Sequence, residues 1–365
     1  MTLTRKATLL VRPDAALLDN RIFSGEALYG MKSDTYLYIA LRQELRARGI
    51  ELATQDVHPL DEASIVISLD QVEAMQDYVR RPGQSCYLIL TEPPVYYPEN
   101  YLPARHRPFD KVFTYDYTRV DNKKYFQYHF AIDFDSYPPF VAVTADEFKR
   151  RKLCTLAAAA FAMSPPPAGS PSLLHERYLT LKWFSDNHPD EFDFYSRGLD
   201  SREFESFRGA GLVKRFMPQA VLQAIAKRRR RVVDRVFRGS IPAEGKVQKL
   251  RDYRFYIAYE NTGNMPGCIS EKLFDCFAAS VVPIYLGDPQ VDRIVPATCF
   301  INRQHFATHE EMYQFLRQMD YATYAGYIGA IEEFLSSNAS AVLRPEHNAR
   351  TLAHQITEKM PSIST

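Results

Sequence analysis

Three consecutive residues, Ser270-Glu271-Lys272, combine the polar groups that could hold a phosphate. They follow a loop rich in glycine and proline, and the pattern predicts that they form the cap and first turn of a helix that ends near Ala279. The free N–H groups of a helix start attract anions. A lysine in this turn is unfavourable for the helix itself, so we expect Lys272 to neutralise a bound phosphate.

Two apolar runs flank this loop and helix. Residues 253–259 predict a buried strand that stops at Glu260 and Asn261, and residues 281–286 predict a second strand. Strand, loop, helix and strand form the crevice-building unit of an open α/β sheet, where anionic ligands bind.

The rest of the chain predicts two such sheets. The first 150 residues alternate short apolar runs with amphipathic stretches, which is typical of a parallel, doubly wound sheet. A loop rich in proline, serine and glycine then leads into a second alternating half. We therefore expect an α/β fold with two Rossmann-like doubly wound domains facing a central cleft, with bounds 1–155 and 156–365. A last helix at 345–360 either packs back on the first domain or anchors a partner.

Composition and charge argue against several classes of protein. The 365 residues are 46% hydrophobic, which is enough for two cores, and the net charge of +1 does not suggest nucleic-acid binding. No apolar run is long enough to span a bilayer, and the N-terminal apolar run is too short for a signal peptide, so we expect a cytoplasmic protein. The five cysteines include no CxxC pair, which favours reduced thiols.

Candidate metal ligands lack the expected patterns. His305 and His309 have helical spacing but no glutamate in the HExxH arrangement between them. Asp133 and Asp135 lie in a predicted loop, and Asp193 lies inside a predicted strand. We therefore predict no metal site.

One basic run has two interpretations. Within an amphipathic helical stretch, five cations follow one another: Lys227, Arg228, Arg229, Arg230 and Arg231. Such a run is usually a solvated helix face. The alternative is a peripheral contact with the anionic inner face of a membrane, where each charge contributes about 1 kcal/mol.

Residues 250–335, which we call the signature region, resemble a known family, the bacterial-type α-1,3/4-fucosyltransferases of glycosyltransferase family 10. The similarity rests on Tyr259-Glu260-Asn261-Thr262, on Ile269-Ser270-Glu271-Lys272-Leu273 and on Val282-Pro283-Ile284-Tyr285-Leu286-Gly287, and it covers most of residues 250–335. The resemblance implies a GT-B fold. It also implies inverting transfer of L-fucose from GDP-fucose to a hydroxyl of a glycan containing N-acetylglucosamine or glucose, in α-1,3 or α-1,4 linkage, on an oligosaccharide or a lipid-linked acceptor.

The resemblance also assigns roles to residues that bind the donor. Lys272 and Arg177 would bind the diphosphate, Asn261 and Ser270 would add neutral polar contacts, and Glu260 would belong to the same donor site. Glu271 would accept hydrogen bonds from sugar or ribose hydroxyls. With two cations for the leaving group, no cofactor or metal is required, although weak stimulation by divalent cations is compatible with this mechanism.

The general base is expected in the N-terminal half. Thr91-Glu92-Pro93-Pro94 ends a predicted strand and resembles the family's glutamate loop, so Glu92 is the candidate, with Glu99 as its rival. One departure concerns Cys268, which stands where the family has an aromatic residue. Stacking on the donor is then in doubt, and a buried apolar filler is the expected role of this cysteine.

Two other functions are compatible with these residues. The first is a transferase that uses a different nucleotide sugar, because contacts to a diphosphate do not identify the sugar. The second is a catalytically silent module that binds a glycan or nucleotide without turnover.

Overall fold

A computed structural model describes residues 5–26, 35–75, 77–158, 161–162, 165–166, 168–196 and 219–358. In the described chain every strand pairing of the two sheets is parallel. The strands are β1 (Arg5–Leu10), β2 (Ile50–Thr54), β3 (Ile65–Leu69), β4 (Ser85–Ile89), β5 (Lys111–Thr114), β6 (Tyr125–Gln127), β7 (Lys152–Ala157), β8 (Phe192–Tyr195), β9 (Tyr253–Tyr259), β10 (Val282–Leu286) and β11 (Ile301–Asn302).

Helices connect most of these strands. They are α1 (Tyr36–Ala47), α2 (Ala145–Arg150), α3 (Leu174–Asn187), α4 (Gln219–Val236), α5 (Lys246–Leu250), α6 (Glu271–Ala278), α7 (His309–Gln318), α8 (Tyr321–Ser336) and α9 (Pro345–Thr357). None of the described helices is both long and apolar enough to cross a membrane.

The first compact unit comprises Met1–Ser136, Met265–Cys268 and Asn338–Thr365. Its six strands lie in the order β2-β1-β3-β4-β5-β6. Alternate residues of one strand enter two separate cores: Ile65 and Ile67 of β3 belong to one, and Val66 between them to the other. Both faces of the sheet are therefore covered, as the near-continuous apolar runs predict.

The last helix belongs to this first unit, where α9 packs against α1. Leu352 and Ile356 of α9 are buried in the same core as Leu41 and Leu45 of α1. At the end of α9, Lys111 of β5 donates hydrogen bonds to the backbone oxygen of Gln355 at 2.7 Å and pairs with Glu358. A buried cation at the carbonyl end of a helix offsets the helix dipole.

The second unit comprises Tyr137–Asn264 and Ile269–Ser337. Its five strands lie in the order β11-β10-β9-β7-β8, and large aromatic side chains dominate its interior. Tyr256, Tyr259 and Tyr285 are each only 1% exposed. The structure confirms the prediction of two Rossmann-like parallel domains.

The boundary between the domains requires a correction. The sequence places it after residue 155, whereas the second unit begins at Tyr137. The reason is that β7, which the sequence assigns to the end of the first domain, pairs with β8 and β9 of the second sheet. The helix α2 before it starts with a capping box formed by Thr144 and Glu147, so the second unit opens with its own helix–strand pair.

Candidate functional site

The second unit brings a helix start to the end of β9. This strand ends at Tyr259, and the chain returns at Ser270, which is the N-cap of α6 in extended conformation, with φ −100° and ψ −179°. The Ser270 hydroxyl accepts a hydrogen bond from the Lys272 backbone N–H, and such a cap stabilises a helix by about 1 kcal/mol. The predicted strand, loop and helix start are thus all present.

Glu260 holds this helix start in place. Its side chain is 2% exposed, and its two carboxylate oxygens accept hydrogen bonds from the Ser270 backbone N–H at 2.8 Å and from the Ser270 hydroxyl at 2.7 Å. The Lys272 ammonium lies 3.5 Å from the same carboxylate. Glu260 is therefore occupied by protein groups, which is the geometry of a residue that positions its neighbours.

Lys272 and Glu271 form a charged pair at the same point. The Lys272 Nζ lies 2.9 Å from the Ser270 hydroxyl and 3.4 Å from the Glu271 carboxylate. Burial lowers the pKa of Lys272, but the carboxylates of Glu271 and Glu260 outweigh that effect and raise it above its ordinary value. Burial would raise the pKa of Glu271, but Lys272 and then Lys246 lower it to about 2. At neutral pH the lysine is therefore a cation and the glutamate an anion.

Arg177 brings a second cation to the end of β9. It lies in α3, is 2% exposed, and donates hydrogen bonds to the Tyr259 backbone oxygen at 2.6 Å and to Oδ1 of Asn261 at 2.7 Å. Its charge lowers the pKa of Lys272, so the two cations repel each other. Two neighbouring cations and a helix start could together bind an anionic group. The six donor-site residues predicted from the sequence all lie in this part of the second unit.

A second charged group lies next to this helix and has no counterpart among the sequence predictions. Asp275, one turn beyond Glu271 in α6, pairs with Lys246 of α5 and accepts a hydrogen bond from the Tyr137 hydroxyl at 2.8 Å. Burial lowers the pKa of Lys246, but the combined effect of Asp275, Tyr256 and Glu271 raises it above its ordinary value. The i, i+4 spacing of Glu271 and Asp275 is visible in the sequence, whereas Lys246 lies in an unremarkable polar segment. Lys246 adds to the positive potential that keeps Glu271 ionised.

Gly287 leaves the room that Glu260 occupies. A Cβ atom at this position would lie 2.6 Å from Cγ of Glu260 and 2.5 Å from the hydroxyl of Tyr285. That hydroxyl accepts a hydrogen bond from the Asp288 backbone N–H at 3.0 Å, so it is not free to move. The packing around Gly287, which directly follows β10, therefore requires a residue without a Cβ atom.

We expect Gly287→Ala to reduce the free energy of unfolding by about 1–3 kcal/mol, because overpacking displaces Glu260 from Ser270. Urea unfolding of the purified protein measures this. Gly329→Ala is the matched control, since a Cβ there meets no atom within 4 Å in the middle of α8, and it should be neutral or slightly stabilising. Equal stability of the wild type and Gly287→Ala would contradict the packing argument.

The two candidate bases lie in the first unit and differ in their surroundings. Glu92 is half-buried just beyond β4, and its backbone oxygen accepts hydrogen bonds from the Asn100 side-chain amide and the Tyr101 hydroxyl, both at 3.2 Å. Glu99 is exposed in a short 3-10 helix, Pro98–Tyr101. A general base must be held in one position, and of the two candidates Glu92 has the backbone that is fixed by side-chain hydrogen bonds.

Asp70 also acts on this loop and was missed by sequence reasoning. It is 8% exposed at the end of β3, and it accepts hydrogen bonds from the backbone N–H groups of Thr91 at 2.7 Å and of Glu92 at 3.1 Å. Burial raises the pKa of Asp70, against the opposing effect of the hydrogen bonds from Thr91, Glu92 and Asn100. Nothing in the sequence distinguishes Asp70 from an ordinary residue at a strand end.

Four residues of the signature loop, Met265–Cys268, belong to the first unit. Met265 and Cys268 are buried in the core that contains Tyr115. Gly267 has a positive φ of 75°, and a Cβ on it would lie 2.0 Å from the Tyr115 backbone oxygen. Cys268 is thus a small buried side chain that forms no disulfide, in agreement with the filler predicted for it.

The residues set aside as metal ligands have other partners. His309 shares a hydrogen bond of 2.9 Å with the Thr180 hydroxyl, and burial, with a smaller effect of Arg303, lowers its pKa to about 4. Asp193 pairs with Lys152 at 2.8 Å, and Asp135 with Arg344 at 3.2 Å. Within the described ranges, no three His, Cys, Asp or Glu side chains are grouped so that they could hold a metal ion.

Sequence comparison finds relatives for the second unit's signature region. The model of the family described as "Glycosyltransferase family 10 (fucosyltransferase) C-term" matches residues 230–339. A gorilla 4-galactosyl-N-acetylglucosaminide 3-alpha-L-fucosyltransferase, FUT6, is 32% identical over 95 residues, which are 25% of this chain and 26% of that protein. The Helicobacter pylori alpha-(1,3)-fucosyltransferase FucT is 28% identical over 76 residues, 21% of this chain and 16% of that protein. The matched part thus spans about a quarter or less of these relatives.

Solved structures resemble the chain over nearly its whole length. An α1,3-fucosyltransferase solved with GDP aligns with a TM-score of 0.50 at 12% identity, covering 98% of this chain and 91% of that one. The Anabaena protein HepE, solved with UDP and glucose, aligns with a TM-score of 0.54 at 9% identity, covering 97% and 100%. At such low identity the likeness concerns the fold alone, and it confirms the predicted GT-B fold.

Proposed function

We propose that the chain is an inverting fucosyltransferase of glycosyltransferase family 10, because the model of that family's C-terminal domain matches residues 230–339, in agreement with the sequence prediction. It transfers L-fucose from GDP-fucose to a hydroxyl of a glycan that contains N-acetylglucosamine or glucose, in α-1,3 or α-1,4 linkage. The observation that carries this proposal is the helix start at Ser270, with Lys272 and the buried Arg177 next to the end of β9.

The donor-site geometry supports a division of roles. Lys272 and Arg177 bind the diphosphate, and Asn261 and the Ser270 hydroxyl add neutral contacts. Glu271, ionised because of its low pKa, accepts hydrogen bonds from hydroxyls of the ribose or the sugar. Glu260 was predicted as a donor contact, but its occupied carboxylate supports a role in positioning Ser270 and Lys272 instead.

The chemical step follows from these roles. An acceptor hydroxyl oxygen attacks the anomeric carbon of fucose, while its proton passes to the Glu92 carboxylate. The bond from that carbon to the diphosphate oxygen breaks, and its electron pair leaves with GDP. Lys272 and Arg177 stabilise the negative charge that develops on this oxygen. Because two side-chain cations supply this stabilisation, the proposed mechanism needs no metal ion or other cofactor.

The proposed reaction can be tested by measuring GDP release from GDP-fucose with and without N-acetyllactosamine in EDTA, with mass spectrometry of the product. We expect release that depends on the acceptor and a product heavier by one fucose. UDP-glucose and GDP-mannose are the control donors, and faster turnover of either would assign a different sugar. GDP binding without turnover of any donor would leave a silent binding module. Repeating the assay with Mg²⁺ or Mn²⁺ measures any stimulation by divalent cations.

We further propose that the protein is cytoplasmic and works at the inner face of a membrane, on a lipid-linked glycan such as that of a lipopolysaccharide. The support lies in α4, where four of five consecutive cations are exposed and the fifth is half-buried. They are Lys227, Arg228, Arg229, Arg230 and Arg231. Arg230 lies 3.6 Å from Asp234, so one of these charges is shared within the helix.

The triple variant Arg228→Gln, Arg230→Gln, Arg231→Gln should bind anionic vesicles about 100-fold more weakly than the wild type, because each charge contributes about 1 kcal/mol. Cosedimentation with phosphatidylcholine vesicles, with and without phosphatidylglycerol, measures this. The matched control is a variant with Lys123, Lys149 and Arg150, which are also exposed, replaced by glutamine. Equal binding of both variants, or binding that does not depend on phosphatidylglycerol, would leave α4 as a solvated face.

A further inference from the structure

Two buried side chains and one half-buried side chain in the first unit fix the backbone of Glu92 from both sides. The backbone N–H of Glu92 donates to Oδ1 of Asp70 at 3.1 Å, and the backbone oxygen of Glu92 accepts from Nδ2 of Asn100 and from the Tyr101 hydroxyl, both at 3.2 Å. Loop residues are usually hydrogen-bonded to water or to their own turn. Here three side chains from outside the Thr91-Glu92 turn hold the two peptide groups on either side of the Glu92 Cα atom.

Asp70 is the centre of this group. It also accepts hydrogen bonds from the Thr91 backbone N–H at 2.7 Å, from the Thr91 hydroxyl and from Nδ2 of Asn100 at 2.6 Å. Each hydrogen bond to a charged acceptor is stronger than one between neutral groups. A buried carboxylate needs hydrogen bonds to offset the loss of its contacts with water. Because Asp70 accepts from four donors, only the arrangement that keeps all four bonds is favourable.

The partners of Asp70 are themselves fixed. Asn100 is fully buried, its Oδ1 accepts from the Gln71 backbone N–H at 2.9 Å, and its backbone oxygen lies 2.9 Å from Nε2 of His106. The Tyr101 hydroxyl shares a hydrogen bond of 2.6 Å with the Tyr115 hydroxyl. The network therefore links the end of β3 to the loop after β4.

We propose that Asp70 is a positioning residue for the proposed general base: through the peptide groups of Thr91 and Glu92 it sets where the Glu92 carboxylate lies. This inference rests on the proposed function of Glu92. Asp70 itself contacts the loop, not the substrate. A displacement of about 1 Å in a catalytic group can reduce the rate about 100-fold, which is enough to make such a network functional.

The test is a double-mutant cycle of Asp70→Asn and Glu92→Gln, with kcat and the KM for GDP-fucose measured for each variant. We expect Asp70→Asn to lower kcat about 10- to 100-fold with an unchanged KM. In the Glu92→Gln background we expect little further loss, because a positioning residue cannot act on a base that is absent. Equal effects in both backgrounds, or wild-type kcat in Asp70→Asn, would overturn the proposal.

Two further variants separate positioning from folding. Asp110→Asn is the matched control: Asp110 also accepts from a backbone N–H in this sheet, that of Cys86 at 2.8 Å, but it does not contact the Glu92 loop, so kcat should be unchanged. Thr91→Val removes one hydroxyl bond to Asp70 and should lower kcat less than Asp70→Asn. If Asp70→Asn does not fold, a wild-type kcat in Thr91→Val overturns the proposal.

Hydrogen exchange distinguishes failure of this inference from failure of the proposed function. The amides of Thr91 and Glu92 should exchange faster in Asp70→Asn than in the wild type and at the wild-type rate in Asp110→Asn, and this readout needs no turnover. Slow exchange in Asp70→Asn would overturn the positioning role. Fast exchange in Asp70→Asn together with full activity of Glu92→Gln would instead show that Asp70 fixes the loop but that Glu92 is not the base.

Discussion

Replacing Lys272 with methionine should lower kcat/KM for acceptor-dependent GDP release by about 10²- to 10³-fold. A hydrogen bond to a charged group contributes about 1.5–3 kcal/mol, and removal of one group that stabilises the charge of a transition state costs a similar or larger amount. Lys272 is the cation at the helix start, with its Nζ 2.9 Å from the Ser270 hydroxyl.

The loss should appear in both kcat and the affinity for the donor. The diphosphate is already charged in the ground state, so Lys272 contributes to GDP-fucose binding, and the charge grows when the bond to fucose breaks. Calorimetric titration with GDP measures the loss of nucleotide affinity, and steady-state kinetics measures the loss of kcat. Methionine keeps the length and apolar stem of lysine, which limits the change to the charge.

Two comparisons isolate the effect of the Lys272 charge. Lys149→Met removes an exposed lysine of α2 in the same unit and should leave kcat/KM unchanged. Lys272→Arg retains a cation but cannot reproduce the compact ammonium between Ser270 and Glu271, so we expect intermediate activity. Wild-type kcat/KM in Lys272→Met would reject the assignment of the diphosphate site to this helix start.

The donor site is largely predictable because it is local in sequence. Ser270, Glu271 and Lys272 are consecutive, so a cap, an acid and a cation at one helix start follow from the pattern alone. The flanking strands are apolar runs buried on both sides, which is the pattern of a parallel sheet. The sequence therefore predicts both the elements and the residues that they present.

The parts that sequence reasoning missed depend on contacts between distant residues. Asp275 meets Lys246 and Tyr137, and Asp70 meets Thr91 and Asn100, across separations that periodicity does not report. The contacts of Glu260 were not predictable either, because its adjacency to Asn261 does not reveal that its carboxylate accepts hydrogen bonds from Ser270. A satisfied buried carboxylate can be recognised only in the folded chain.

The predicted domain boundary differs from the boundary in the structure for a similar reason. The strand β7 reads like the last strand of the first sheet, because a strand carries no sequence mark of the sheet that it joins. Only its pairing with β8 and β9 assigns it to the second unit. Long-range pairing decided the boundary, and the loop rich in proline and glycine that follows β7 lies within the second unit.

Replacing Glu92 with glutamine should lower kcat by about 10²- to 10⁴-fold, the usual contribution of a general base. Glutamine has the size of glutamate and keeps the backbone bonds to Asp70, Asn100 and Tyr101 available. The KM for GDP-fucose should stay near that of the wild type, because the residues proposed to bind the donor all lie in the second unit. The loss therefore falls on the step in which the acceptor hydroxyl gives up its proton.

Glu99→Gln is the decisive comparison, since Glu99 is the rival base only seven residues away. The Glu99 carboxylate is exposed in a short 3-10 helix, and each free rotation of an exposed side chain reduces the chance of a productive geometry. We therefore expect Glu99→Gln to keep the wild-type kcat. Collapse of kcat in Glu99→Gln with full activity in Glu92→Gln would exchange the two roles, and the buried network around Asp70 would then serve the stability of the first unit.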